Sequence, residues 1–335
     1  MSRWFWRAVH VGGSSIVVLS LAACSGPHSM LSPHSPEGRS IAATWWLMFA
    51  MAVVVYIVVT ALVVIAISRR PANVPDERRH RFENRFIVVG GLALPVMILA
   101  ITAIATVQVA NELSPASASA EAPVQITVEG ELWWWRIEYP NEHVVTANEI
   151  HVPIGQKVDI KLVSDNVIHS LWIPELNGKQ DLVPGQVNHL RFTADKVGRF
   201  DGRCAEFCGI QHARMEFIVF VDSADDYRSW IADNQASAAQ PTDGSGQTGQ
   251  QLFETSSCAG CHTIVGTSAQ GSAGPDLTHV ASRKTLAAGT IDNTPERMAA
   301  WLDHTQSLKH GALMPEVDLT KQQIDALVAY LERLK

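Results

Sequence analysis

The sequence lacks the clustered positive charge that nucleic-acid-binding proteins usually present. Its 335 residues include 26 Lys and Arg against 33 Asp and Glu, a formal net charge of -7, so we expect no nucleic-acid partner. It also lacks a hydrolytic triad, a phosphate-binding loop and an internal repeat, so neither hydrolysis nor phosphoryl transfer is indicated. Cysteine is scarce, with only five residues. The length leaves room for two or three domains.

The N-terminus has the pattern of a cleavable signal peptide over residues 1–23. Arg3 and Arg7 precede an apolar run over residues 9–21, which is short for a membrane-spanning helix of about 20 residues. Two alanines stand directly before Cys24, which resembles a bacterial lipoprotein signal. We therefore expect Cys24 to be lipidated and to become the new N-terminus. An ordinary signal peptide with an incidental cysteine is the alternative.

Two uncharged apolar stretches follow at residues 44–67 and 87–109, and each is long enough to span a bilayer. They predict a two-helix transmembrane hairpin over residues 41–110. The loop between them contains more arginines than acidic residues: Arg69, Arg70, Arg78, Arg79, Arg81 and Arg85 against Asp76, Glu77 and Glu83. The positive-inside rule makes this loop cytoplasmic. We expect a protein integral to the bacterial inner membrane, with its later domains on the extracytoplasmic side.

The rest of the chain is predicted to form two soluble domains. Alternating and β-branched runs broken by Pro, Gly and Asn predict an antiparallel β sandwich or barrel over residues 124–232. Residues 235–249 are polar and rich in Gly and Ser, which is typical of a flexible linker. Apolar residues at helical spacing predict an all-α domain over residues 250–335. The expected fold class is therefore multidomain, with one membrane part and two soluble parts.

The first chemical motif places soft metal ligands in one short loop of the β domain. Cys204, Cys208, His212 and Met215 form a Cys-x3-Cys-x3-His-x2-Met pattern, and His169 lies upstream at a strand end. Thiolate, imidazole and thioether ligands are the set that copper favours over hard cations. A single blue-copper ion needs only one cysteine. Two cysteines with two histidines suit a pair of copper ions bridged by both thiolates.

Two other interpretations of this cluster remain open from the residues alone. Cys204 and Cys208 could form a disulfide in an oxidising compartment, although that leaves the histidines and the methionine unexplained. A structural zinc ion fits two cysteines and two histidines, although a methionine at this spacing adds nothing to zinc coordination.

The second chemical motif is CAGCH at residues 258–262, the spacing of covalent haem attachment. Two thioether bonds would tether the porphyrin, and His262 is placed to ligate the iron from one face. Met314, further along the chain, is the expected sixth ligand. Ligation by His and Met favours electron transfer and closes the iron to substrate. Met298 is the competing methionine, but its helical spacing with Trp301 predicts a core position.

Four segments resemble subunit II of cytochrome c oxidases. They are ELWWWRIEY at 131–139, IHSLWIP at 168–174, VPG at 183–185 and CAEFCGIQHARM at 204–215. The resemblance runs from about residue 41 to residue 230 and implies a cupredoxin-like domain with a binuclear CuA centre. Residues 249–335 resemble a class I cytochrome c, partly through GPDL at 274–277, and imply haem c as a second cofactor.

The resemblance also implies roles for particular residues. The implied copper ligands are two bridging cysteines, two terminal histidines and two weak axial ligands: Cys204, Cys208, His169, His212, Met215 and the backbone carbonyl of Glu206. The Glu206 side chain would reach a magnesium ion shared with subunit I. The implied haem-binding residues are Cys258, Cys261, His262 and Met314. Trp133 matches the tryptophan through which electrons enter the copper centre.

Neighbouring residues are expected to play supporting or purely structural parts. We expect Trp134 and Trp135 to pack in a protein core or to lie in an aromatic belt at the membrane interface. The same structural role is the alternative for Trp133. Trp301 and Arg283 would lie near the haem propionates. Three histidines are expected on the solvated surface: His279, His304 and His310.

The functional hypothesis is an electron-accepting subunit of a respiratory haem-copper oxidase. Cytochrome c or a quinol–cytochrome c reductase would donate electrons to the haem. The electrons would then pass through CuA to subunit I, which reduces oxygen to water and pumps protons, in a complex with other oxidase subunits. A CuA-bearing nitric oxide reductase subunit, a copper-delivery protein and a quinol oxidase subunit are the alternatives. The last of these would lack the copper ligands, which are all present here.

Overall fold

The computed structural model describes residue 26 and residues 28–68, 76–113 and 124–335. The expected signal peptide, with Cys24, lies outside the described residues, and so do Arg69 and Arg70 of the expected cytoplasmic loop. The chain divides into two compact units. One contains residues 39–118 and the other contains the remainder of the chain. The two units are described separately below.

The first unit contains two helices that are long and apolar enough to cross a membrane. Helix α1 covers Pro36–Ser68, and the second span is built from α2 (Asp76–Phe86), a π-helical segment (Ile87–Ala93) and α3 (Leu94–Leu113). In each span, no residue of the most apolar stretch is buried within the protein. The two-helix part of the expected fold is therefore confirmed, although both helices extend beyond the apolar stretches that predicted them.

The π-helical segment of the second span has a local cause. Pro95 has no amide hydrogen and cannot continue the regular helical hydrogen-bond ladder. Just before it, the Leu94 amide bonds to the carbonyl of Val89, five residues back, rather than to the usual residue four back. The hydrogen-bonded ring therefore contains one more residue than in an α-helix, and the helix continues past the proline without a break.

The β domain is a sandwich of two five-stranded sheets. The first sheet has the order β3-β2-β1-β5-β8, and the second has the order β4-β10-β9-β6-β7. The strands are β1 Val124–Glu131, β2 Trp134–Tyr139, β3 Val144–Ala147, β4 Glu149–Pro153, β5 Lys157–Val163, β6 His169–Trp172, β7 Gln180–Leu182, β8 Asn188–Thr193, β9 Gly198–Cys204 and β10 Glu216–Asp222. Most ladders are antiparallel, but β1 pairs with β5 and β4 pairs with β10 in parallel.

The sandwich is held together by the inward-facing residues of both sheets. Burial alternates along β1, where Val124, Ile126 and Val128 face the core, as expected for strands with one covered face. Trp135 and Tyr139 of β2 are wholly buried. Burying each side chain of this size stabilises the fold by roughly 1.5–3 kcal/mol. This core gives a rigid frame for the loop over residues 204–215, which contains four of the side chains expected to bind copper.

Part of the expected linker is helical. Helix α4 (Ala224–Gln235) closes the β domain, and α5 (Gly244–Thr255) begins within residues 235–249. The Asp243 carboxylate caps α5 by accepting a hydrogen bond from the Gly246 amide. A Cβ at Gly249 would lie 2.0 Å from the carbonyl oxygen of Ala326. The glycines that suggested a flexible linker therefore permit two helices to touch, and residues 244–249 belong to the folded C-terminal domain.

The C-terminal domain is helical, as expected. Its helices are α5, α6 (Cys258–Cys261), α7 (Pro295–Asp303), α8 (Thr305–Leu308) and α9 (Lys321–Leu331), with a small ladder of β11 (Thr285–Leu286) and β12 (Ile291–Asp292). Helix α9 starts at a capping box formed by Thr320 and Gln323. Its buried face packs Leu327 and Tyr330 against Phe253 of α5. The crossing of α5 and α9 therefore forms the centre of this domain.

Candidate metal and haem sites

The expected copper ligands come together at one end of the second sheet. Strand β9 ends at Cys204 and β6 begins at His169, and the two strands pair so that Leu171 lies opposite Cys204. Cys208 lies in the loop after β9. His212 belongs to a short 3-10 turn, and Met215 directly precedes β10. The register of the sheet thus brings His169 to a loop that supplies the other four residues.

The distances within this cluster suit shared metal ligation. The Cys204 and Cys208 Sγ atoms are 3.7 Å apart, and both cysteines are free thiols. His169 Nδ1 lies 3.9 Å from Cys204 Sγ, and His212 Nδ1 lies 3.7 Å from Cys208 Sγ. Met215 Sδ is 3.9 Å from Cys208 Sγ. Each thiol therefore faces the other thiol and one imidazole, an arrangement that could hold a pair of metal ions.

The thiols share a proton in a way that favours a thiolate. The hydrogen bond from Cys208 lowers the pKa of Cys204 to about 3 against the opposing effect of burial. The same bond raises the pKa of Cys208. The thiolate is the form of cysteine that binds metal, so one ligand is already in its binding form. Binding of copper by both sulfurs would release the remaining proton.

Backbone and neighbouring side chains orient the cluster. The Glu206 carbonyl oxygen lies 3.2 Å from Cys204 Sγ, so it faces the sulfurs. The Glu206 carboxylate instead accepts a hydrogen bond from Lys179 at 3.1 Å. His169 Nε2 lies 2.9 Å from the side-chain oxygen of Asn166, which leaves Nδ1 directed at the thiols. Asn166 was not anticipated, and only its position three residues before His169 could have suggested it.

Trp133 directly contacts the loop that contains the expected copper ligands. Its indole Nε1 donates a 2.9 Å hydrogen bond to the carbonyl of Cys208. Its ring lies so close to Gly209 that a Cβ there would be 2.9 Å from a ring carbon. Trp135, in contrast, is wholly buried in the sandwich and packs edge-on to His169 and Phe217. The expectation of core packing is therefore correct for Trp135.

A cavity in the C-terminal domain is lined by the haem-attachment motif. Cys258, Cys261 and His262 line it together with Met314, and Trp301 and Met298 also reach it. His262 Nδ1 donates to the Pro275 carbonyl at 2.7 Å, and burial lowers the pKa of His262. A neutral imidazole held this way has Nε2 free for a metal. A Cβ at Gly274 would be 2.6 Å from the imidazole ring.

The polar atoms of the cavity fit a haem. Arg283 is buried and lines the cavity, and one of its Nη atoms bonds to the Asp276 carbonyl. Its Nε–H has no hydrogen-bond partner, nor does the hydroxyl of Thr285, which also lines the cavity. A buried polar group without a partner is costly. Carboxylate groups such as haem propionates would satisfy both donors.

The β domain closes one side of this cavity. Leu132, Trp133 and Trp134 line it beside the residues of the C-terminal domain. Trp133 therefore borders the cavity and also bonds to the copper loop. Trp134 was expected only to pack in a core or at a membrane interface, so its position on the cavity wall was not predicted.

One expectation for the histidines was wrong. His304 and His310 are exposed, but His279 is only 6 % exposed. It precedes the short 3-10 turn Val280–Ser282. Burial lowers its pKa, while Asp276 acts in the opposite direction. The polar surroundings in the sequence suggested solvent, but the fold packs this segment against the rest of the domain.

The chain is similar to known proteins in both soluble domains. Residues 142–222 match the family "Cytochrome C oxidase subunit II, periplasmic domain", and residues 246–335 match the family "Cytochrome c". Cytochrome c oxidase subunit 2 of Alkalihalophilus pseudofirmus is 33% identical over 329 residues, which cover 96% of this chain and 95% of that protein. The Bacillus subtilis protein of the same name is 30% identical and covers 75% of each chain.

Other relatives share part of the chain. Quinol oxidase subunit 2 of Bacillus cereus is 28% identical over 249 residues, which cover 72% of this chain and 85% of that protein. The crystal structure of the periplasmic domain of subunit II of cytochrome oxidase from Bradyrhizobium japonicum is 27% identical, with a TM-score of 0.34. It covers 35% of this chain and 97% of that chain.

Proposed function

The chain belongs to the cytochrome c oxidase subunit II family, and we propose that it carries electrons from a covalent haem to a binuclear copper centre and on to subunit I. Membership makes it a subunit of an oxidoreductase that is anchored in a membrane. The family of its β domain implies a copper site, and the family of its C-terminal domain implies haem c. The electron path and the identity of the copper centre are the proposed steps.

The copper centre is proposed to be of the CuA type. Its ligands would be the thiolates of Cys204 and Cys208 as bridges, the imidazoles of His169 and His212, and the Met215 sulfur with the Glu206 carbonyl as axial ligands. The support is that both sulfurs, both Nδ1 atoms and the thioether lie within 4 Å of a partner in the same cluster. When bound, the copper pair supplies one-electron redox chemistry.

In this proposal, Cys258 and Cys261 attach the haem through thioether bonds, and His262 and Met314 ligate its iron. The Pro275 carbonyl fixes the His262 ring, and Arg283 would neutralise a propionate. When bound, a haem with His and Met ligands supplies electron transfer rather than substrate chemistry. The surrounding apolar residues exclude water from it.

The observation that carries the proposed path is the position of Trp133. Its side chain borders the haem cavity and donates a hydrogen bond to the backbone of the copper ligand Cys208. A single residue therefore connects the two sites. In this arrangement Trp133 is the residue through which electrons enter the copper centre, and their source is the haem of the same chain.

A magnesium ion at Glu206 is a further part of the proposal. The Lys179 ammonium lies 3.1 Å from the Glu206 carboxylate and 3.9 Å from that of Asp181. Two carboxylates around one cation suit a divalent ion with oxygen ligands. In the assembled oxidase, magnesium would take the place of the ammonium at the contact with subunit I.

The proposed setting is the outer face of the bacterial inner membrane. The arginine-rich loop between the spans would be cytoplasmic, and both soluble domains extracytoplasmic. Subunit I would accept the electrons and reduce oxygen with proton pumping, and cytochrome c or a quinol–cytochrome c reductase would supply them. Lipidation of Cys24 stays a prediction.

The proposed cofactors are tested on the purified full chain in detergent. We expect twice as much copper as haem, and an electron paramagnetic resonance spectrum in which one unpaired electron is shared by two copper nuclei. A spectrum of a single copper ion, or of zinc-bound and spectroscopically silent protein, would reject the CuA assignment. Haem that is lost on denaturing gels would reject the covalent attachment.

A further inference from the structure

Lys309 is a lysine of the C-terminal domain whose side chain is buried against the β domain. The residue follows α8 and is only 3 % exposed. Its ammonium donates hydrogen bonds to the carbonyls of Trp133 and Arg214 at 2.9 Å each and of Ala287 at 2.8 Å. An ammonium has three N–H donors, so all three are used. Two of the three acceptors belong to the β domain.

Further contacts between the same two domains surround Lys309. They are hydrogen bonds from the Gln211 side chain to the His310 carbonyl, from the Arg214 guanidinium to the Leu308 carbonyl, from the Glu216 amide to the Ala288 carbonyl and from the Lys284 amide to the Glu149 carboxylate. Ile210 also packs against Gly311. The contact therefore joins the copper-binding loop to the segment that leads to Met314.

Placing a lysine here has an energetic cost. Burial, with the nearby Arg214 guanidinium, lowers the pKa of Lys309 to about 7. An apolar side chain of similar length could fill the same space without that cost. This burial is tolerated only in an arrangement of the two domains that brings all three carbonyls to the ammonium, because two of the acceptors belong to the β domain. The lysine thus makes the docked arrangement specific.

We propose that Lys309 is a positioning residue that docks the haem domain on the copper domain and holds the haem cavity beside Trp133. The inference rests on the proposed function, since docking has a purpose only if electrons pass between the two sites. Lys309 bonds to none of the proposed ligands. It acts through Trp133, whose carbonyl it binds while the indole binds the Cys208 carbonyl. One tryptophan is thereby fixed at both its backbone and its side chain.

The test uses the full chain with both cofactors and replaces Lys309 by methionine, an unbranched side chain that is one heavy atom shorter and has no N–H donors. Haem is reduced by a light-activated reductant, and the transfer of its electron to copper is followed by absorbance. We expect Lys309→Met to slow this transfer about tenfold or more, because the docked population falls. Reduction of the haem by the external reductant should be unchanged. Lys321→Met is the matched control, because that side chain is 88 % exposed.

Hydrogen–deuterium exchange supplies a second readout, compared between samples of equal copper and haem content, because loss of copper would itself increase exchange in the copper-binding loop. Lys309→Met should increase exchange at both faces of the contact, residues 206–215 and 306–312, and leave α9 unchanged. A transfer rate and an exchange pattern equal to those of the unmodified chain would overturn the docking role. Absence of haem-to-copper transfer in the unmodified chain would instead reject the proposed function itself.

A second variant covers the case in which Lys309→Met lowers the copper content. Arg214→Ala removes an exposed side chain that bonds across the same contact to the Leu308 carbonyl. It should also slow the transfer, by less than Lys309→Met, with normal copper and haem content. Unchanged transfer in Arg214→Ala, together with copper loss in Lys309→Met, would show that Lys309 supports the copper loop and does not dock the domains.

Discussion

The copper cluster and the haem cavity differ in how much of each site one domain supplies. The proposed copper ligands all come from the β sandwich: five of the six, counting the Glu206 carbonyl, lie in the twelve residues 204–215, and His169 comes from the neighbouring strand β6. The haem cavity is lined by the C-terminal domain, but Leu132, Trp133 and Trp134 of the β domain close one side. The copper site is therefore a property of one domain, whereas the environment of the haem depends on how two domains meet.

The largest expected effect is the complete loss of one cofactor while the other stays bound. Cys208→Ser should abolish copper binding, because it removes one of two bridging thiolates, and should leave the covalent haem in place. Replacing both Cys258 and Cys261 by alanine should do the reverse and remove haem staining on a denaturing gel while copper stays bound, because no thioether bond can then form. Copper and haem contents measured on the same samples check both changes. Joint loss of both cofactors in either variant would contradict the independence of the two sites.

The next largest effect is expected when the hydrogen bond that orients the proposed copper ligand His169 is removed. Asn166→Leu removes the acceptor that holds His169 Nε2, so copper affinity should fall by about 10–100-fold. Competition with a copper chelator measures this change. Asn188→Leu is a suitable control, because the Asn188 side chain donates to the Asp181 carbonyl and not to a proposed copper ligand. Equal copper affinity in Asn166→Leu and in the unmodified chain would show that Asn166 does not support the copper site through His169.

A smaller effect is expected at the helix crossing of the haem domain. Gly249→Ala places a methyl group against the Ala326 carbonyl, and overpacking of this kind costs about 1–3 kcal/mol. Thermal unfolding followed at the haem absorbance should shift to lower temperature, while unfolding of the copper domain should stay the same. Gly244→Ala is the control, because nothing lies within 4 Å of a Cβ there. Equal shifts in both variants would argue against the close crossing.

The smallest expected effect is a pH dependence from His279. Burial lowers its pKa below the ordinary value of 6.5, so the unfolded chain takes up the proton first as the pH falls. Stability that is present at neutral pH is therefore lost between the ordinary and the lowered pKa. Asp276 and Asp233 oppose this shift, and Arg283 adds to it.

The measurement for His279 is the unfolding temperature of the haem domain from about pH 7.5 to about pH 5.5. The unmodified chain should lose more stability over this range than His279→Gln, which cannot titrate. His304→Gln is the control, because the His304 side chain is 66 % exposed. Parallel pH profiles for the unmodified chain and His279→Gln would show that the buried imidazole has no such role.

The difference between the two sites also explains what the sequence could predict. Most of the proposed copper ligands and the haem-attachment motif lie at short fixed spacings, so the sequence alone suggested them. His169 was also predicted from the sequence, and the pairing of β6 with β9 explains how it reaches the others. The fold class followed from the periodicity of apolar residues. These features depend on neighbours in the sequence.

Features that depend on distant parts of the chain were missed. Gly249 was taken as part of a flexible linker because its contact, Ala326, is far along the chain. His279 was expected in solvent, but the folded chain buries it. Lys309 has no motif around it, and its function depends on carbonyls of Trp133, Arg214 and Ala287 that only the folded chain brings together. Backbone acceptors carry no signature in a sequence.

The most direct test of the central claim is the order of the haem-to-copper reaction in the full chain. With both cofactors bound, the reduced haem should lose its electron to copper at a rate that does not change when the protein is diluted, because donor and acceptor share one polypeptide. A rate proportional to protein concentration, or copper that stays oxidised while the haem is reduced, would contradict the proposed path through Trp133.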